Sequence, residues 1–153
     1  MTPLADFLTA QGYRPIGLAR TASGHLALAE ARVNGQPARL YLDTGAGQTL
    51  LDLAFAQKLG LPLAADSRRG AGAGGGSLAI FNARVAELTL AGWTEREVAC
   101  AAMDLAHVNE GLRRRGLSLM DGVIGGDLLA RRDAVIDCRK AVLYLRAGAP
   151  PNP

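Results

Sequence analysis

The stretch Tyr41–Thr49 constrains this chain more than any other part of its sequence. Apolar and polar residues alternate over positions 38–43, with the period of two that a half-buried β-strand shows. Asp43 ends this strand, and Thr44 and Gly45 favour a sharp turn after it, because a threonine hydroxyl bonds nearby backbone and glycine accepts a positive φ. A carboxylate held by such a turn at the rim of an apolar sheet is a candidate catalytic group. The same residue types are common in ordinary turns, so the tripeptide alone leaves a purely structural turn open.

Two further stretches favour the catalytic interpretation. Residues 121–129 read Asp-Gly-Val-Ile-Gly-Gly-Asp-Leu-Leu, with apolar residues and a glycine ahead of a short helix, and residues 134–145 have the pattern of a closing hairpin. With the Asp-Thr-Gly-Ala run at 43–46, they stand in the order typical of retropepsin-like aspartic proteases, and the chain resembles that family over roughly residues 16–146. The resemblance implies an all-β fold, a single-lobe acid-protease barrel with one or two short helices. It divides the chain into an N-terminal extension at 1–15, a protease domain at 16–146 and a disordered tail at 147–153.

The same resemblance assigns roles to the turn. Hydrolysis by carboxylates needs two of them, one ionised and one protonated, and the family obtains the pair from a homodimer with one Asp-Thr-Gly per chain. Asp43 would then be catalytic, Thr44 would bond across the two-fold axis, and Gly45 would let the two turns approach. Residues 123–125 would pack beneath the Asp43 loop. The implied substrate-binding residues are Ala46, Gly47, Gly70, Gly72, Gly74, Gly75, Gly76, Ser77 and Ile124.

The glycine-rich run at residues 70–76 has two interpretations. Its composition is typical of a flexible linker. By resemblance it is the flap, a hairpin that closes over the bound peptide, where glycines allow close backbone approach. The run matches G-x-G-x-x-G, but strand-like residues rather than a helix follow it, which excludes a dinucleotide site. The family resemblance implies a peptide or protein substrate, bound extended beneath a flap.

Some features depart from the family pattern. Asp-Thr-Gly occurs once, so one chain supplies half of the carboxylate pair, unless Asp121 or Asp127 acts as an intramolecular partner. Asp127 also fits an early-helix acid, which the helix dipole favours. Family members usually carry Ser or Thr where this chain has Gly47, and Thr49 is a candidate substitute for that hydroxyl. The alternative function is therefore a catalytically weak or inactive one-lobe domain that binds extended peptides or partner proteins, or a dimerisation module of a longer protein.

Other segments bear on the dimer and the cleft. The terminal strands of retropepsin dimers interleave, and residues 142–146 are the candidate here, although no partner strand is evident within 1–15. A predicted helix at 105–115 is longer than the family's connection and would cover or crowd the cleft.

Two local signals predict secondary structure elsewhere. The pair Asn34-Gly35 predicts a tight hairpin, and Asp52 predicts the start of a helix over 53–59.

Composition narrows the partners. With 17 basic and 14 acidic residues the chain carries only +3, too little to predict a nucleic-acid partner. Its two cysteines and two histidines lack metal-ligand spacing. We predict no metal and no other cofactor, and two buried free thiols, with a disulfide as the alternative. There is no membrane-length apolar run and no signal-peptide pattern. The expected compartment is the cytoplasm for a full-length chain, or the periplasm or a membrane anchor for a chain that has lost a leader.

Overall fold

The computed structural model of the chain describes residues 3–71 and 77–148. Within these ranges the strands form one 12-stranded sheet, and short helices lie at its connections. This confirms the all-β prediction, although the described residues contain four short helices instead of one or two. None of the helices in this part of the chain is long and apolar enough to cross a membrane.

The elements follow one another in this order along the chain. The helices are α1 (Leu4–Ala10), α2 (Leu53–Lys58), α3 (Ala106–Arg114) and α4 (Gly126–Arg131). The strands are β1 (Tyr13–Arg20), β2 (Leu26–Leu28), β3 (Ala31–Val33), β4 (Gln36–Pro37), β5 (Leu40–Leu42), β6 (Leu50–Asp52), β7 (Ala64–Ala71), β8 (Ser77–Leu90), β9 (Trp93–Met103), β10 (Gly122–Ile124), β11 (Val135–Asp137) and β12 (Val142–Arg146). Their order in the sheet is β11-β12-β1-β2-β5-β10-β6-β9-β8-β3-β4, with β7 paired to β8.

The predicted hairpin at Asn34-Gly35 is confirmed. Both residues have positive φ, 48° and 79°, which a two-residue turn between twisted strands requires. The turn joins β3 to β4, with Val33 opposite Gln36. The strand expected over residues 38–43 forms only as β5, Leu40–Leu42, which is separate from β4 and pairs with β2 and β10.

Strand β10 lies between β5 and β6, parallel to the first and antiparallel to the second. This insertion leaves almost no space at its glycines. A Cβ on Gly122 would lie 2.3 Å from the Leu50 carbonyl oxygen, and one on Gly125 would lie 2.4 Å from the Gln48 carbonyl carbon. Glycine is therefore required on sterical grounds at both positions, where the backbones on either side of the Asp43 turn come together.

The two predicted helices near the middle of the chain are confirmed. Asp52 caps α2 by accepting a hydrogen bond from the Phe55 N–H at 3.4 Å. The other oxygen of Asp52 accepts from the Leu105 N–H at 3.0 Å, just before α3. Helix α3 follows Asp104, whose carboxylate accepts from the Ala106 N–H at 2.7 Å, and it ends at Arg114, two residues before Gly116, which has a positive φ.

The C-terminal hairpin corrects the expected dimer edge. Strand β12 is paired on both sides within the chain, with β1 and with β11, so residues 142–146 are not a free edge. The N-terminal strand that was not evident in the sequence is β1, and the domain boundary expected at residue 16 falls inside it. Among the described strands, β11 stands at one end of the sheet and pairs only with β12.

Two apolar clusters stabilise the sheet. The larger one is centred on fully buried residues such as Ile16, Leu40 and Ile124. The smaller one joins Leu8 of α1 to two tyrosines of β1 and β12. Helix α1 therefore covers the terminal strands, and burying its leucine contributes about 2 kcal/mol.

Candidate functional site

The turn at residues 43–46 lies where β5 leaves the sheet beside β10. The Asp43 N–H donates to the Ile124 carbonyl at 3.1 Å, which continues the β5–β10 pairing by one residue. The Asp43 Oδ1 atom accepts from the Gly45 N–H at 2.9 Å and the Ala46 N–H at 3.2 Å. A Cβ on Gly45 would lie 3.3 Å from that same oxygen. The turn therefore orients the carboxylate through its own backbone, as Asp and Gly in a turn predict.

The outer side of this turn is open. Asp43, Thr44 and Gly45 are all exposed. Within residues 3–71 and 77–148, neither the Oδ2 atom of Asp43 nor the Thr44 hydroxyl has a hydrogen-bond partner. Both groups are thus available to a molecule outside the chain.

The underside of the turn is held by Thr49 and Asp127. The Thr49 hydroxyl donates to Asp127 Oδ1 at 2.8 Å and accepts from the Gly125 N–H at 3.2 Å. The Thr49 N–H and the Leu128 N–H donate to the same Asp127 oxygen, each at 2.8 Å. Thr49 is only 4% exposed, so it does not replace the hydroxyl missing at Gly47, which corrects that hypothesis.

Neither candidate acid serves as an intramolecular partner for Asp43. Asp127 lies in the first turn of α4, as predicted for an early-helix acid, and binds Thr49. Asp121 accepts from the Arg39 N–H at 2.7 Å. Arg39 lies four residues before Asp43, a distance of about 13 Å along an extended chain. Asp121, which is bonded to Arg39, is therefore far from the Asp43 carboxylate. In the described part of the chain, no second carboxylate is hydrogen-bonded to Asp43.

The residues predicted to bind substrate lie in different environments. The Ala46 carbonyl accepts from the Gly126 N–H at 2.7 Å, and Gly47 lines an open cavity together with Asp127 and Arg131. Ile124 is 0% exposed, so it supports the turn from below, which corrects its assignment as a substrate contact.

The flap prediction falls partly outside the described residues. Strands β7 and β8 form an antiparallel hairpin, in which Gly70 pairs with Leu78 and Ala71 pairs with Ser77. A hairpin is therefore present where the flap was expected. The predicted tip residues Gly72, Gly74, Gly75 and Gly76 lie outside the described residues.

The cysteines are free, as predicted, but only Cys100 is buried, whereas Cys138 is exposed. Burial raises the pKa of the Cys100 thiol to about 11, and the nearby Asp127 charge adds to this effect. The described residues hold no group of three or more His, Cys, Asp or Glu side chains able to bind a metal ion.

One contact that holds the segment before β10 gives no local signal in the sequence. The Asn109 side chain of α3 donates to the Met120 carbonyl at 3.0 Å and accepts from the Met120 N–H at 2.8 Å. This pair of bonds fixes the helix against the segment that leads into β10. The sequence indicated that the helix lies near the cleft, but no spacing rule identifies an asparagine that bonds backbone in the following segment.

Comparison with known proteins agrees with this geometry. A family model described as aspartyl protease matches residues 29–128. The structure resembles a retropepsin-like aspartic protease from Rickettsia conorii, with 24% identity, a TM-score of 0.56, and coverage of 87% of this chain and 91% of that one. It also resembles the retroviral protease-like domain of Ddi1 from Leishmania major, with 21% identity, a TM-score of 0.55, and coverage of 83% and 92%. No curated protein sequence matches significantly. The chain belongs to the aspartyl protease family and has the retropepsin-like fold.

Proposed function

We propose that this protein is an aspartic endopeptidase that acts as a homodimer, with Asp43 of each chain forming the catalytic pair. The observation that carries the proposal is the asymmetry of the Asp43 carboxylate. Its Oδ1 atom is held by two backbone N–H groups, while Oδ2 is on the exposed side of the turn. A carboxylate fixed in direction but open on one oxygen is suited to act on a bound water.

Two such carboxylates divide the chemistry between them. At about 3 Å apart, both cannot be ionised at once, so the pair shares one proton. The ionised member takes a proton from water, and the hydroxide attacks the peptide carbonyl carbon. The protonated member donates to the carbonyl oxygen, which gives a tetrahedral intermediate. Proton transfer to the amide nitrogen then breaks the C–N bond and releases an amine and a carboxylic acid.

The surface near the C-terminal hairpin supports pairing with a second copy. Strand β11 lies at an end of the described sheet, and an edge strand presents unpaired backbone groups to another chain. Nearby, Val135 of β11 packs against the small cluster that contains Leu8 of α1, and α1 leaves Leu4 45% exposed and Phe7 55% exposed. Exposed apolar side chains beside an open edge are typical of an interface. Thr44, at the outer side of the turn, would meet its counterpart across the two-fold axis.

The proposed substrate is a peptide in extended form. The β7–β8 hairpin would cover it, and the glycines at 70 and 72–76 would allow the flap to approach its backbone closely. Extended peptides bind such sites through main-chain hydrogen bonds, so affinity depends little on sequence and side-chain pockets supply the selectivity.

Cleavage of an unfolded protein, such as casein, tests this proposal from acid to neutral pH. Asp43→Asn should reduce the rate by at least about 1000-fold, because the variant homodimer loses both carboxylates of the catalytic pair. Glu87→Gln is the control, since it removes an acid far along β8 that pairs with Arg96. Sedimentation of the same samples should give the mass of a dimer. Cleavage by a strict monomer would contradict the two-chain mechanism.

One observation favours the alternative, a weakly active or inactive peptide-binding domain. The chain has no side chain at Gly47, and Thr49, the candidate substitute, is engaged with Asp127. The Asp43 carboxylate thus lacks a hydroxyl partner from either residue. A folded protein that binds extended peptides but cleaves none at any pH would establish this alternative.

A further inference from the structure

A groove lies between the β3–β4 hairpin and α2, and two adjoining cavities form it. Their volumes are about 510 Å³ and 570 Å³, within the range of about 300–1,000 Å³ that is usual for ligand sites. Pro37, Phe55 and Lys58 line both cavities, so the two are continuous. We call this feature the β4–α2 groove. A continuous groove of this size accommodates a segment of an extended peptide.

The walls of the groove leave recognition to side chains. Strand β4 stands at one end of the described sheet and pairs only with β3. Such an edge normally offers N–H and C=O groups to an added peptide strand, but Pro37 has no N–H to donate. On the opposite wall, the half-buried Phe55 packs against the core and offers an apolar contact to a ligand. The charged side chains in the groove should therefore decide what binds.

Two cations of the groove are not paired with acids. Lys58 is exposed, and its ammonium has no hydrogen bond or ion pair in the described part of the chain. Arg32 donates to the Gly35 carbonyl at 3.0 Å, which fixes its guanidinium without neutralising the charge. One acid that has no ion pair within the described residues, Glu30, also lines the groove. These groups leave an excess of positive charge, which favours a ligand that carries several carboxylates.

The end of the groove next to β5 carries a nearly balanced pair of charges. The Arg39 Nε atom lies 3.8 Å from Asp121 Oδ2, so the two charges largely cancel. Arg39, Tyr41 and Asp43 are alternate residues, so their side chains leave the chain on one face while it remains extended. From Arg39 to Asp43 an extended chain covers about 13 Å. The groove therefore begins about 13 Å from the proposed catalytic carboxylate.

We propose that the β4–α2 groove is a second substrate-binding site, which holds an acidic segment of the protein substrate away from the bond that is cleaved. The inference rests on the proposed function, because it extends the same substrate beyond the Asp43 site. Carboxylates of the segment pair with Lys58 and Arg32, and an apolar residue among them packs on Phe55. An extended chain covers about 3.3 Å per residue, so the acidic segment begins about four residues from the cleaved bond.

Binding of a short acidic peptide tests the groove directly. The probe is a peptide of about ten residues with glutamates on both sides of one phenylalanine, and the comparison peptide has glutamine in place of each glutamate. Calorimetric titration of the Asp43→Asn protein should give a Kd at least about 10-fold lower for the glutamate peptide. This difference should shrink at about 0.5 M NaCl, because salt screens exposed charges. Equal Kd values for the two peptides would overturn the proposal.

Two lysine variants separate the groove from the general positive charge of the protein. Lys58→Gln should weaken binding of the glutamate peptide about 3-fold or more, as the loss of an exposed ion pair predicts, and should leave the glutamine peptide unchanged. Lys140→Gln is the matched control, because Lys140 is also exposed and its side chain has no partner among the described residues. Lys140 lies in the turn between β11 and β12, outside the groove. Equal effects of the two substitutions would overturn the role of the groove.

Cleavage by the wild type distinguishes this inference from the proposed function. The substrates share one cleavable sequence and carry the glutamate segment either next to it or about four residues away. The proposed homodimer has one groove per chain, related by the two-fold axis, so a segment on either side of the cleaved bond should lower KM several-fold at the greater distance and less when adjacent. If the glutamate peptide binds as described but nothing is cleaved, the proposed activity fails and the groove stands. If cleavage occurs and the segment changes KM at neither distance, the groove is wrong and the activity stands.

Discussion

The two sides of the Asp43 turn are built in opposite ways. On the underside, Thr49 donates two hydrogen bonds to Asp127, and each of the two side chains also accepts one from an adjacent backbone N–H. On the outer side, the hydroxyl of Thr44 and the free oxygen of Asp43 face outward without partners in the described chain. The fold therefore uses buried contacts to fix the direction of the Asp43 carboxylate. One oxygen of that carboxylate remains accessible to groups from outside the chain. Substitutions below should therefore affect stability, and substitutions above should affect function.

The largest loss of stability is expected for Gly125→Ala. The added Cβ would lie 2.4 Å from the Gln48 carbonyl carbon and 2.7 Å from the Thr49 nitrogen, so the backbones must separate. The free energy of unfolding should fall by about 3 kcal/mol or more, measured by urea denaturation. Gly17→Ala is the control, since its Cβ meets no atom within 4 Å. Equal effects at both positions would show that the underside is not tightly packed.

Asp127→Ala should come next. It leaves the Thr49 hydroxyl and two backbone N–H groups without their acceptor. Unsatisfied buried donors cost about 1–3 kcal/mol each in desolvation, partly recovered if water enters. We expect a loss of about 3 kcal/mol by the same measurement, and a smaller loss for Asp127→Asn, which keeps one acceptor oxygen. A variant as stable as the wild type would remove Asp127 from the support of the turn.

The buried thiol of Cys100 gives a pH-dependent effect of about 2 to 3 kcal/mol. Its pKa is raised from 9.0 to about 11, so the folded state holds the proton more tightly. This contribution to stability is complete below pH 9 and is lost between pH 9 and 11, as the unfolded chain ionises. Unfolding of wild type and Cys100→Ala should show the difference shrinking over that range. In the folded protein at pH 8, only Cys138 should react with a thiol reagent.

The smallest effect on stability is expected for Thr44→Val on the outer side. Its side chain is exposed and has no partner in the described chain, so the unfolding free energy should change by less than about 0.5 kcal/mol. If Thr44 bonds across the proposed dimer axis, the dimer should dissociate about 10-fold more readily in sedimentation. If the free energy of unfolding of the monomer fell by more than about 1 kcal/mol, Thr44 would contribute to stability, which contradicts the proposed difference between the two sides of the turn.

Local signals in the sequence predicted much of this arrangement. Asn34-Gly35 identified a hairpin, Asp52 a helix start, and the Asp43 turn was located to the residue, because turns and caps depend on neighbours within four positions. Contacts between distant residues could not be predicted in this way. Thr49 and Asp127 are 78 positions apart, and nothing near either residue indicates the other.

The terminal strands illustrate the same limit. The predicted strand at 142–146 is present, but it is not a free edge, because it pairs with β1 on one side and β11 on the other. Strand β1 escaped prediction because Pro15 and Gly17 interrupt its alternation, and it is stabilised by pairing with the far end of the chain. Strand formation there is decided by tertiary partners more than by propensity.

The insertion of β10 between β5 and β6 also orders events during synthesis. The two flanking strands are complete by residue 52, but the strand that joins them begins only at Gly122. A nascent chain therefore exposes unpaired edges on β5 and β6 until residues 122–124 leave the ribosome, and such edges are prone to pair wrongly. Until then Asp43 lacks the Ile124 carbonyl and the Asp127 support that hold its turn. A growing chain thus carries the Asp43 carboxylate early, but the contacts that hold the Asp43 turn form only late in synthesis.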